Sequence, residues 1–267
     1  MQLQHDDQPL PPATAPLSPA ESHPSMPPQL LVSVRNGIEA EAALQGGCDI
    51  LDIKEPARGS LGMADVAAIS AVADVVRQQQ VDVVVSTALG ETTDWYAAAP
   101  PALPAGINYA KLGTAGLRPD LDWRRRWSEV RRQFDLAADR NIAWIAVAYI
   151  DWELANSPPP LEIVAAATEA GCAGVLFDTF TKTGRGLFDW LSKPQLHALV
   201  NDIHAAGQLV AVAGQITAEN VPALIDFAPD IIAIRSAACA GGQRTNSIEA
   251  EAIRHFKTAM HNAAISH

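Results

Sequence analysis

Eight short apolar runs, separated by longer amphipathic stretches, set what this chain can fold into. The runs lie at 30–34, 49–53, 82–87, 109–112, 144–149, 174–177, 209–213 and 231–234. Runs this short and this rich in Val, Ile and Leu read as strands buried on both faces. Between them lie helix-like segments at 37–45, 63–79, 123–140, 161–170 and 193–206, and 248–262 follows the last run. Three helices run into glycine, the usual helix stop: Gly46-Gly47 before the second run, Gly171 before the sixth and Gly207 before the seventh. Strands alternating with helices imply a parallel sheet covered on its outside. Eight such units in about 230 residues fit a closed (β/α)8 barrel. An open doubly wound sheet is the competing architecture, but no GxGxxG follows any strand and no P-loop is present. One unit is irregular. The stretch 91–106 contains Ala97-Ala98-Ala99-Pro100-Pro101 and Pro104, and proline breaks helices, so the helix there is expected to be short, distorted or absent.

Residues 1–28 fall outside this pattern. They carry prolines at 9, 11, 12, 16, 19, 24, 27 and 28 and few large apolar side chains, so they read as a disordered tail preceding a barrel at 29–262. No apolar stretch precedes a small-residue cleavage site, so the tail is not a secretory signal. Hydrophobic residues make up 48% of the 267, enough for a large core, yet no run is long enough for a membrane span. The net charge of −11 and the lack of a basic stripe argue against bulk nucleic-acid binding. Cys48, Cys172 and Cys239 are widely spaced and read as reduced, buried thiols of a cytoplasmic protein.

Barrel enzymes work at the C-terminal ends of their strands. The polar residues expected there are Asp52 and Lys54 on the second strand, Ser86-Thr87 on the third, and Lys111 on the fourth. Asp151 follows the fifth, Asp178 and Lys182 the sixth, Gly214-Gln215 the seventh and Arg235-Ser236 the eighth. Only five lysines occur, and Lys54, Lys111 and Lys182 are three of them; Lys193 and Lys257 lie on helices. Lysine is ordinarily a solvated surface residue. Confined to one barrel mouth, it points to chemistry closed to arginine, because a desolvated lysine can lose its proton and act as a nucleophile or base. Each of the three could instead serve only to pair with Asp52 or Asp178. Asp52 and Lys54 are two apart on a strand and so share its inner side.

The histidines at 5, 23, 197, 204, 255, 261 and 267 all fall in the tail or on helices, which argues against a histidine triad or a His-rich metal site. Asp52 and Asp178 would be the carboxylates for a Mg2+ ion, but the reading calls for no metal and no cofactor. Anions bind well after the seventh and eighth strands of a barrel. Gly214, Ser236, Gly241 and Gly242 lie there, among small residues that let backbone N–H groups approach a phosphate. The expected partner is a small phosphorylated sugar, with a homo-oligomer allowed for.

At these residues the chain resembles the (5-formylfuran-3-yl)methyl phosphate synthases of methanofuran biosynthesis. The resemblance runs from Leu30 to about Lys257. It rests on Asp52-Ile53-Lys54-Glu55-Pro56 with Gly59-Ser60-Leu61-Gly62, on Phe177-Asp178-Thr179-Phe180-Thr181-Lys182, on Leu187-Phe188-Asp189-Trp190-Leu191-Ser192, and on Arg235-Ser236-Ala237-Ala238-Cys239 with Gly241-Gly242-Gln243-Arg244. It implies a lyase that condenses two molecules of glyceraldehyde 3-phosphate with loss of phosphate and water. It further implies Lys54 as the Schiff-base residue and Lys111 as the proton acceptor, with Asp52, Asp178 and Lys182 as further polar site positions. The chain departs from the family after Glu91 and in its tail. A Schiff-base aldolase for another phosphorylated aldehyde, and a non-catalytic sugar-phosphate-binding barrel, are the alternatives the residues leave open.

Overall fold

The computed structural model describes residues 27–265, so the tail expected at 1–28 lies outside the described residues except for Pro27 and Pro28. Eight parallel strands close into one barrel in sequence order. They are β1 (Gln29–Val34), β2 (Ile50–Ile53), β3 (Val84–Glu91), β4 (Tyr109–Gly113), β5 (Ala143–Tyr149), β6 (Gly174–Asp178), β7 (Leu209–Val212) and β8 (Ile231–Ile234). The ring closes through β1 and β8, with Leu31 opposite Ala233. Around it run α1 (Gly37–Gly46), α2 (Val66–Gln79), α3 (Trp123–Ala138), α4 (Pro160–Glu169), α5 (Lys193–Ala205), α6 (Val221–Ile225) and α7 (Ala250–Ile265). No helix among the described residues is long and apolar enough to cross a membrane.

The two-residue period of each strand divides the core in two. Leu30, Val32, Leu51, Ile53, Val175, Phe177, Val210 and Val212 point outward, into the layer shared with the helices. Leu31, Ile50, Ile145, Val147, Leu176, Ala211 and Ala233 point inward and fill the barrel. On the same inward parity, nearer the C-terminal ends, come Ser33, Asp52, Lys54, Ser86, Lys111 and Asp178. Lys54 lies just beyond β2, but its N–H still donates to the Val34 carbonyl at 3.0 Å, so the pleat continues through it.

The expected irregular unit has no α-helix. A single 3-10 turn at Thr92–Trp95 follows β3, and the proline stretch runs on as coil. β3 itself continues four residues past the expected end at Thr87. Ala88 and Gly90 are weak strand formers, but the pairing continues with a register shift between Ala88 and Glu91, and this bulge turns Glu91 toward the mouth. Thr87 is therefore mid-strand and fully buried, bonded to the Ile53 carbonyl.

Candidate active site

The mouth of the barrel opens into a cavity of about 330 Å3. It exists because Ala213, just past β7, and Ala233 on β8 stand inward where larger residues would fill it. Across the mouth, the β3–β5 side is closed by Leu61, Ala115, Tyr149 and Phe180 packed together. Below, Leu31, Ile50, Ile145 and Leu176 pack the barrel, leaving only about 20 Å3 beneath Lys111.

Five of the expected residues line this cavity as one chain of charges: Lys111, Asp52, Lys54, Asp178 and Lys182. Asp52 accepts a hydrogen bond from the Lys111 ammonium, which also donates to Ser86 Oγ at 2.8 Å. The other Asp52 oxygen accepts from Ser33 Oγ at 3.2 Å. Asp178 accepts from Lys182 Nζ at 2.9 Å, from Ser60 Oγ at 3.1 Å and from the Thr179 N–H at 2.8 Å. Burial pushes both carboxyls up. The ammonium groups and hydrogen bonds around them more than offset this, so both are held below the ordinary carboxylate range.

Lys54 differs from its two neighbours. It is only 9% exposed, and its Nζ has no hydrogen-bond or ion-pair partner among the described residues. Both nearby carboxylates are already matched, by Lys111 and by Lys182. Burial therefore dominates, and despite the pull of Asp178 and Asp52 the Lys54 pKa falls to about 8. Lys193 and Lys257 sit away from the mouth, paired with Asp226 and Asp49.

Of the glycines and serine expected to hold phosphate, Gly214, Ser236 and Gly242 line the cavity. Gly241 does not; it lies exposed in the 3-10 turn at Ala240–Gly242. Gly214 has φ +105°, and a Cβ there would stand 3.1 Å from Thr179 Cγ2. Its glycine thus satisfies the backbone as well as any ligand. Asp151 is not in the cavity wall. It accepts the N–H groups of Phe180 and Thr181 at 2.6 and 2.8 Å and fixes the loop that carries Lys182. Arg235 lines the cavity, but its guanidinium is paired with Glu39 at 2.6 Å.

Three residues at the mouth carried no assigned role in the sequence reading. Ser60 is buried and joins the β2 loop to Asp178 and to the Thr179 carbonyl. That loop is drawn tight by a bond from the Glu55 N–H to the Gly62 carbonyl at 2.8 Å. Only glycine fits at 62, since a Cβ would come within 2.4 Å of the Glu55 carbonyl oxygen. Glu91 accepts from Tyr149 Oη at 2.6 Å and from the Ala115 N–H at 2.9 Å, and burial raises its carboxyl pKa. Arg244 reaches the cavity from the loop after β8. Ser60 and Arg244 stand inside the family-like segments, but nothing in a linear segment tells which side chain turns inward. Glu91 lies four residues beyond the strand end that the sequence predicts at Thr87.

The sequence pattern of the 4-HFC-P synthase family matches residues 30–257. The (5-formylfuran-3-yl)methyl phosphate synthase of Methanocaldococcus jannaschii is 34% identical over 234 residues, which is 85% of this chain and 97% of the relative. That of Methanopyrus kandleri is 32% identical over 243 residues, 88% of this chain and all of the relative. Among solved structures, thiamine phosphate pyrophosphorylase from Pyrococcus furiosus superposes with a TM-score of 0.55 at 13% identity, covering 89% of this chain and 96% of that one. KGPDC from Streptococcus mutans gives 0.53 at 10% identity, covering 89% and 99%. At these identities the two structures speak for the barrel fold alone.

Proposed function

The chain belongs to the 4-HFC-P synthase family, and from that premise and its cavity we propose that it makes (5-formylfuran-3-yl)methyl phosphate from two triose phosphates through a Schiff base on Lys54. The substrate is taken to be glyceraldehyde 3-phosphate and the product to enter methanofuran-type C1 carrier synthesis. The observation that carries the reading is the unpaired, buried Lys54 amine between two carboxylates already matched by other lysines.

The chemistry follows from that arrangement. The free amine of Lys54 adds to the aldehyde carbon of one triose phosphate, and loss of water gives an iminium. The iminium withdraws electrons from the adjacent carbon and makes its proton acidic. Lys111 is the proposed acceptor of that proton. To accept it Lys111 must react as the free amine, and Asp52 and Ser86 hold its Nζ at the cavity wall. The phosphate on the next carbon then leaves as an anion, eased by Lys182 and the β7 and β8 loops. Bond formation to the second triose and ring closure complete the furan. Two triose phosphates contain the atoms of the product, one phosphate and two waters, so no oxidant or reductant is required. Hydrolysis frees Lys54.

The test is mass spectrometry of the material formed from glyceraldehyde 3-phosphate alone. The expected result is the phosphorylated furan aldehyde with one inorganic phosphate per product. Consumption without that product would favour a Schiff-base aldolase of another specificity. No consumption and no adduct would leave a binding barrel.

A further inference from the structure

We infer that Arg244 is the charged side chain that grips a substrate phosphate at this mouth. The inference rests on the triose phosphate reading above and adds to it a residue that the reading does not use.

Every other cation of the cavity wall is engaged or can lose its charge. Lys111 is bound to Asp52 and Lys182 to Asp178, while Arg235 is held by Glu39. Lys54 is the amine that must become neutral to react. Arg244 remains. Arg244 is half-buried and lines the cavity, and its guanidinium makes one hydrogen bond, from Nη2 to the Gly59 carbonyl at 3.0 Å. No carboxylate pairs with it among the described residues. A guanidinium has five N–H donors in a planar fork suited to phosphate, and it keeps its charge throughout the working pH range. Four of those donors therefore have no acceptor among the described residues.

The surrounding backbone is built for the same ligand class. Among the described residues, the N–H groups of Gly214, Gln215 and Ser236, all in the cavity wall, have no protein acceptor. Arg244 is itself held in place: Arg235 Nε donates to its carbonyl at 2.8 Å, and the same guanidinium donates to the Asn246 carbonyl at 3.0 Å and to Glu39. Arg235 thus acts as a positioning residue, its guanidinium held by the Glu39 carboxylate that it shares with Arg35 and by the Ser33 carbonyl, whereas Arg244 has no carboxylate partner among the described residues. A phosphate dianion between that fork and the free N–H groups would satisfy both. The bond to Gly59 also lays Arg244 beside the β2 loop, whose Ser60 is fixed to Asp178, so the phosphate would be held within reach of Lys54.

The experiment is isothermal calorimetry of inorganic phosphate on the full chain, comparing wild type, Arg244→Gln and Arg244→Lys. Arg244→Gln is expected to weaken phosphate binding tenfold or more, with Arg244→Lys in between, since it keeps the charge and loses the fork. Wild type without measurable phosphate binding, or a folded Arg244→Gln that binds as tightly as wild type, overturns the inference. If Arg244→Gln fails to fold, Arg244→Lys decides, and binding equal to wild type would overturn it. Borohydride trapping separates this from the Schiff-base reading. Arg244→Gln should need at least tenfold more glyceraldehyde 3-phosphate for half-labelling, while unphosphorylated glyceraldehyde labels both proteins alike. Loss of labelling with both aldehydes in Arg244→Gln alone would overturn the phosphate role. Absence of labelling in wild type would refute the Schiff base and leave Arg244 to the calorimetry.

Discussion

A pH titration of Lys54 tests the central claim most directly. With its pKa near 8, the amine is about 9% neutral at pH 7, against about 0.03% for an ordinary lysine, a gain of about three-hundredfold in reactive species. If the neutral amine attacks the aldehyde, kcat/KM at limiting substrate should rise about tenfold from pH 7 to a plateau above pH 9, with an apparent pKa near 8. The initial rate of borohydride-trapped adduct, read by intact-protein mass, should follow the same curve. Asp178→Asn supplies the second arm. Asp178 is the largest influence raising the Lys54 pKa, and removing its charge leaves Lys182 facing Lys54 without a counter-ion. Both changes disfavour the ammonium, so the curve should move to lower pH even where the maximum rate falls. A flat profile from pH 6 to 9, or one that moves to higher pH in Asp178→Asn, would refute the argument.

Four further outcomes are expected. Lys54→Arg keeps a cation beside Asp52 but cannot form an iminium, so it should lose about a thousandfold in kcat, as Lys54→Ala does, and neither should trap substrate; substantial activity in Lys54→Arg would reduce Lys54 to an ion-pairing role. Lys54→Met should stabilise the fold below pH 8 by up to about 3 kcal/mol. The unfolded chain binds this proton more tightly than the folded one, so wild-type stability should rise with pH between about 8 and 10.5 while Lys54→Met does not follow, as denaturant melts at pH 7 and 10 would show. Ser60→Ala should lower kcat more than it raises KM, because Asp178 loses a positioning bond, and Ser60→Thr should recover part of the loss; an unchanged kcat would make Ser60 merely a loop fastening. Gly214→Ala should cost about 1–3 kcal/mol of stability from its backbone conformation and its approach to Thr179, so any effect on phosphate binding there must be read against the denaturation midpoint.

The barrel was legible because its signal is periodic and repeated. The apolar runs coincide closely with β1, β2 and β4–β8, and the proline-rich stretch after Glu91 forms no α-helix. Where reading failed, a local feature hid a tertiary one. Ala88 and Gly90 look like the end of a strand, yet pairing with β4 carries β3 through a bulge to Glu91. The lysines stood out because there are only five and three fall at strand ends, a pattern that needs no coordinates. Ser60 and Arg244 did not stand out, because a serine or arginine in a loop has no period to mark its direction.

What composition cannot express is which lysine is left without a carboxylate partner. Three ammonium groups share one mouth with two carboxylates, and the count alone leaves one excess charge. The pleat decides where it resides. Lys111 on β4 stands next to Asp52 across β3, with Ser86 beside it, and Lys182 is four residues beyond Asp178 in a loop pinned by Asp151. Lys54 shares a strand with Asp52 and must point the same way, but the Asp52 oxygens are already taken by Lys111 and Ser33. The strand that brings Lys54 to the carboxylate therefore also denies it the pairing. An amine in that position is destabilised as a cation, and a proton it holds weakly is one it can lose to become a nucleophile. If Lys54 is the nucleophile proposed above, its reactivity belongs to the pairing pattern more than to Lys54 itself. Lys111→Met, which frees Asp52 to pair with Lys54, should raise the pKa of the trapping reaction above 8; a trapping pKa that stays put or falls would show that burial alone sets it.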